Sequence, residues 1–154
     1  IDASQLDDDL KRPSGAFVTL HTAHGDLRGC IGSIQPVAPL WRAVSSNAIH
    51  AAMRDPRFES VSGVAELASL QLEISVMSPI VLVTDIEEIV VGRDGLIVSR
   101  RGRAGLLLPQ VATEYGWDRE TFLRHTCTKA GLPHDAWRSA DTRIERFSAE
   151  VFSE

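Results

Sequence analysis

The chain reads as an α+β protein built on mainly antiparallel sheet, and three observations predict this. Residues 70–77 alternate apolar and polar, as a half-buried strand does. Apolar residues recur at helical spacing over 38–54 and again over 118–130. Strand-like and helix-like stretches are mixed without regular βαβ units, which argues against a doubly wound parallel sheet. At 154 residues, 44% hydrophobic and 24% charged, the chain suits one compact domain with a core of ordinary size.

Residues 1–14 are polar and acidic and form an arm ahead of the domain proper, which runs from 15 to 154. The β-rich stretch 16–22 meets a turn at Gly25-Asp26, and 27–34 returns as the second strand of a hairpin. Pro36 and Pro39 close that unit. From 38 to 54, Leu40, Val44, Ala48 and Ala51 form one apolar stripe, widened by Trp41, Ile49 and Ala52. Asp55-Pro56 ends this helix, because a residue before proline avoids helical geometry. Residues 59–69 are loop or short helix. In 70–77, Leu70, Leu72, Ile74 and Val76 face a core while Gln71, Glu73 and Ser75 face away. Short strands are expected at 88–91 and 95–100, joined by a hairpin turn at 92–95. Pro109 starts a helix reaching Tyr115. Asp118 caps a further helix whose buried face holds Phe122, Leu123, Thr126, Cys127 and Ala130, and Gly131-Leu132-Pro133 ends it in Schellman fashion. Residues 143–152 alternate again, with Phe147, Ala149 and Val151 on one side.

The net charge of −5 argues against a general nucleic-acid binder, which needs an excess of Lys and Arg to neutralise phosphates. The one basic concentration is the turn Ser99-Arg100-Arg101-Gly102-Arg103. Two cysteines without CxxC spacing make neither a disulfide framework nor a zinc site, which fits a reducing cytoplasm. No apolar run approaches the roughly 20 residues needed to span a bilayer. The sequence starts at Ile1 without Met, so the natural N-terminus is expected upstream.

Leu27-Arg28-Gly29-Cys30-Ile31-Gly32 carries the strongest chemical signal. On a strand, Arg28 and Cys30 share a face, and a guanidinium about 7 Å along the backbone favours the thiolate form of cysteine. Gly29 and Gly32 suit close approach of a backbone or ligand. A buried structural cysteine is the alternative for Cys30. No histidine stands out as its base. His21 and His24 point to opposite faces of a strand, His50 shares a solvated helix face with Arg42 and Arg54, and His125 lies on the polar side of its helix. Cys127 belongs to a core. Asn47, Asp55 and Arg57 form a second cluster, acting either as braces around the helix end or as ligand contacts. Glu73, outward on its strand, is a solvated carboxylate or a candidate acid/base.

Gly15-Ala16-Phe17-Val18-Thr19-Leu20, the hexapeptide at 27–32, Asn47-Ala48, Asp55-Pro56-Arg57-Phe58 and Glu73-Ile74-Ser75-Val76 follow one another in order. So do Val91-Gly92-Arg93-Asp94-Gly95, Gly105-Leu106-Leu107-Leu108-Pro109, Gly116-Trp117-Asp118 and Lys129-Ala130-Gly131-Leu132. Over nearly the whole chain this resembles the AMMECR domain family, called AmmeMemoRadiSam system protein A in microbes. The resemblance implies a two-lobed α+β domain, with a larger lobe holding both termini and a smaller inserted one. It also implies that the hexapeptide is the hallmark motif, and a genomic association with a Memo-type protein and a radical-SAM enzyme, the expected partners. Relatives carry a helical segment ahead of the first strand, and here only the short arm is expected.

The expected function is that of a small-molecule enzyme or enzyme component, with a cleft centred on residues 27–32 and a reactive Cys30. In it Arg28 tunes the thiol or binds an anion, Glu73 is the acid/base candidate, and Gly29, Gly32, Asn47, Asp55 and Arg57 surround the ligand. The competing expectation is a non-catalytic interaction module. A weaker third has residues 100–103 touching nucleic acid.

Overall fold

The computed structural model describes residues 3–154. The backbone divides into two compact units. One runs through Ser78 and takes up Glu150–Glu154, and the other is Pro79–Ala149.

In the first unit, β1 (Ala16–His21) lies between β2 (Leu27–Ser33) and β3 (Gln71–Met77), antiparallel to both. Gly25 turns the β1–β2 hairpin at φ 86°, a backbone conformation glycine adopts without steric cost. Ala16, Val18 and Leu20 are buried along one face of β1 and pair across to Val76, Ile74 and Leu72. Helix α2 (Leu40–Met53) packs on that face and buries Ala51. Gly29 is what lets it settle, since a Cβ there would collide with the Ala51 carbonyl.

No side chain caps the N-terminus of α2. The arm supplies the missing acceptor: the Leu40 N–H donates to the Arg12 carbonyl at 2.9 Å, and the Ser14 N–H donates to Ala38. The arm is therefore more than a polar tail. It contains a one-turn helix, α1 (Asp8–Lys11), packed near α2. Ile49, assigned by its spacing to the apolar stripe, is 62% exposed. Another one-turn helix, α3 (Val64–Leu67), occupies the segment expected as loop or short helix.

In the second unit, β5 (Asp94–Arg100) lies between β6 (Arg103–Leu107) and β7 (Arg143–Ser153), with the short β4 (Val81–Leu82) on the far side of β7. Helices α4 (Pro109–Glu114) and α5 (Arg119–Lys129) cover this sheet. The core gathers Ile89, Leu96, Val98, Ala112, Phe122, Leu123, Cys127 and Ile144. The ends of α5 are as expected. The Asp118 carboxylate accepts the Thr121 N–H, while the Leu132 N–H donates to Cys127 and the Gly131 N–H to Thr128.

The strand expected at 88–91 is absent. Residues Ile86–Glu88 form a 3-10 turn capped by Asp85. The Val90 N–H donates instead to the Asp94 carboxylate at 2.9 Å, so 90–94 closes as a loop and not as a hairpin between strands. In β7, Phe147 is buried as expected, but Val151 is 55% exposed.

Candidate functional site

The site grows from the alternation along β2. Gly29 faces α2, so Cys30 projects from the opposite face of the sheet, where it is half-buried. The register places Cys30 beside Thr19, and Thr19 beside Glu73, so that these three side chains form a row across the three strands. One step along, Phe17 pairs with Gly32, and its ring occupies the space a Gly32 side chain would need.

Strand β2 is an edge of the sheet. At Cys30 the backbone polar groups point outward, away from β1. The N–H donates to Asp55 Oδ2 at 2.9 Å, and the carbonyl accepts from Arg57 Nη2 at 3.3 Å. Thr19 and Cys30 are therefore a non-hydrogen-bonded antiparallel pair, the kind whose side chains approach most closely. Accordingly the Thr19 hydroxyl donates to Cys30 Sγ at 3.3 Å.

Asp55 sits where Pro56 stops α2 and is 4% exposed. Its carboxylate also accepts the Arg57 N–H and Nε at 3.0 Å and Nη2 at 2.8 Å. The hydrogen bond from the Arg57 side chain, followed by that from the Cys30 N–H, holds the Asp55 carboxyl well below the usual carboxylate range, outweighing the opposing effect of burial. Arg57 is correspondingly raised above its ordinary value, chiefly by the hydrogen bond to Asp55. The Arg57 side chain remains 54% exposed.

Arg28 is placed differently from the strict alternation. The register slips between Leu20, opposite Gly29, and His21, opposite Leu27, which leaves Arg28 without a partner residue on β1. Its Nε and Nη2 both donate to Glu66 Oε1 at 2.8 Å, and Ser62 holds the other Glu66 oxygen through its N–H and hydroxyl. Those Ser62 contacts lead the causes that lower the Glu66 carboxyl, and Arg28 adds to them. Arg57 thus contacts Cys30 through its backbone carbonyl, while Arg28 ties β2 to the segment carrying α3. Glu66→Ala should lower Tm by about 2–6 °C, because it leaves a largely buried guanidinium without its acceptor. Thermal unfolding checks this, and an unchanged Tm would show that the tie contributes nothing.

Asn47 lies under the sheet on α2, where its Nδ2 donates to the Ala16 carbonyl at 3.0 Å and braces helix to strand. Thr19 and Glu66 were not singled out from sequence. Counting back from the Gly25 turn pairs Thr19 with Gly29, and only the register slip brings it opposite Cys30. Nothing local links Glu66 to a residue 38 positions away.

Elsewhere, Arg100 and Arg101 contact the Asp141 carboxylate at 2.9 and 3.2 Å, and Arg103 donates to the Gly131 carbonyl. Each arginine of the basic turn is thus held within its own unit, two of them by one shared carboxylate. His125 stacks on Trp117 with ring centroids 3.9 Å apart. Cys127 is fully buried, and burial pushes its thiol up. Among the described residues, no group of three or more His, Cys, Asp or Glu is placed to hold a metal ion, and no helix is long and apolar enough to cross a membrane.

Fold and site together define an α+β protein of two units whose polar centre is a Cys–Thr–Asp–Arg cluster on a sheet edge. The AMMECR1 family model matches residues 1–152, and the chain belongs to that family. It is 46% identical over 147 residues to Protein MJ0810 of Methanocaldococcus jannaschii, covering 91% of this chain and 73% of that protein. A protein of Methanothermobacter thermautotrophicus is 48% identical, with 97% and 80% of the two chains covered. The crystal structure of the uncharacterized protein PH0010 from Pyrococcus horikoshii matches with a TM-score of 0.81 and 43% identity, covering all of this chain and 80% of that one.

Proposed function

We propose that the Cys30 cluster is a thiol site at which a small molecule is bound and chemically altered. The observation that carries this reading is the treatment of Cys30 itself. The Thr19 hydroxyl donates to its sulfur, while Asp55 and Arg57 clamp its backbone from outside the sheet. A packing cysteine needs none of these contacts. A hydroxyl donor and a guanidinium are groups that stabilise a sulfur carrying negative charge, the form that attacks an electrophilic carbon. Asp55 is a positioning residue in this scheme, fixing both the Cys30 backbone and the Arg57 fork. Glu73, one strand beyond Thr19 in the same row, is the acid/base group nearest in register.

Alkylation by iodoacetamide at neutral pH tests the reading. Cys30 of the folded protein should react at least as fast as the cysteines of the urea-unfolded chain, while buried Cys127 stays unmodified. A folded Cys30 as inert as Cys127 would overturn it. The family resemblance supports a place beside a Memo-type protein and a radical-SAM enzyme, and the two free thiols support a cytoplasmic setting.

A second reading, a non-catalytic interaction module, is favoured by apolar side chains left open on the first unit. Val37 and Val64 are both 82% exposed. Under it, Cys30→Ser should retain full cellular function, and loss of function on that change would exclude it.

A further inference from the structure

We propose that the Cys30 site selects an anionic substrate, an electrophile carrying a carboxylate that Arg57 seats beside the thiol. This rests on the reading of Cys30 as a thiol site and specifies what that site accepts.

The argument begins with the unequal burial of the Asp55–Arg57 pair. The Asp55 side chain is 2% exposed and the Arg57 side chain 54% exposed. One edge of the guanidinium, Nε with Nη2, is fixed against Asp55, and Nη2 also reaches the Cys30 carbonyl. Nη1, with its two N–H groups, is used by neither contact. An arginine held this way has already lost its rotamer freedom, so a carboxylate meeting its outer side gains hydrogen bonds with little further ordering. A counter-ion needed only to neutralise Asp55 could lie as deeply as its partner. Half of this one is in solvent, next to a nucleophile.

The other arginine of the motif does not compete for the role: Glu66 holds its Nε and Nη2 in the same way, but its side chain is only 17% exposed and its remaining Nη1 is shut off from solvent. The chain as a whole repels anions, with a net charge of −5. Any preference for an anion at Cys30 must therefore arise from its immediate surroundings, and the exposed charge bound to that residue, through its backbone carbonyl, is Arg57.

Paired alkylating probes make the test. Iodoacetate and iodoacetamide react with a thiolate in the same way. A sulfur–carbon bond forms, the carbon–iodine bond breaks, iodide leaves, and the thiol proton goes to buffer. They differ in the charge beside the reacting carbon. The quantity read is the iodoacetate-to-iodoacetamide rate ratio at Cys30 in the folded protein, divided by the same ratio for the urea-unfolded chain. We expect an enhancement of about tenfold, falling as salt is raised, and lost in Arg57→Gln. Arg57→Lys, which keeps the charge without the fork, should retain part of it and controls for misfolding. Fast reaction with iodoacetamide at an unenhanced ratio would overturn the substrate class while leaving the thiol site standing. Failure of both reagents on the folded protein would overturn both.

Discussion

Gly29→Ala should lower Tm by roughly 6–12 °C, about 3 kcal/mol, at 2–4 °C per kcal/mol for a chain of this size. The added methyl would be driven into the carbonyl oxygen of Ala51, with the Ala51 carbonyl carbon and Cα close behind. These are backbone atoms in the last turn of α2, so no side chain can swing aside. Relief requires moving the helix away from β1 and β2, which opens the Ala16, Val18 and Leu20 face. The same movement drags Asp55, two residues beyond the end of α2, away from the Cys30 N–H. The variant should therefore also alkylate at Cys30 with altered kinetics. Differential scanning calorimetry decides the first point, and a Tm within about 2 °C of the parent would refute the close approach.

Asp55→Asn should cost roughly 5–10 °C in Tm at neutral pH, and the cost should shrink in acid. The carboxylate accepts four N–H groups from Cys30 and Arg57. An asparagine keeps one acceptor oxygen and turns an NH2 toward donors it cannot satisfy. The folded-state pKa of Asp55 is depressed, so its contribution is fully present above the unfolded carboxyl pKa of about 3.9 and is lost as pH falls through the lower folded value. The gap between parent and variant should thus begin to narrow below about pH 4 and keep narrowing toward the folded value. Melting curves across that range test the sign, and a gap that stays constant or widens in acid would refute the role given to the carboxylate.

What was legible in the sequence is what short-range physics dictates. Helix α5 announces itself through the Asp118 cap and the Gly131 terminator, and both work through hydrogen bonds spanning five residues or fewer. The β1–β2 hairpin follows from one glycine turn, and the end of α2 from Pro56. Asp55 and Arg57 were visible as a cluster because they bracket that proline. Their target, the backbone of Cys30, was not, since it depends on where α2 delivers its last turn. The Arg28–Glu66 pair was hidden twice, by a register slip that breaks the period of two and by a partner on a distant segment. A strand is expected over 88–91, but the Val90 N–H bonded to the Asp94 carboxylate is withdrawn from any ladder. Strand β4, two residues long, carries too little pattern to be read at all.

The clamp on Cys30 has a consequence for how the protein meets other copies of itself. An edge strand offers a ready-made row of backbone donors and acceptors, and an unguarded one recruits further strands into aggregates. At the centre of β2 the donor and the acceptor that an incoming strand would seek are already taken, the one by a buried carboxylate and the other by a guanidinium. The two side chains stand in for a missing neighbour strand. A foreign chain cannot add at Cys30 without first evicting an ion pair, so the groups that hold the thiol in place also keep its strand solitary.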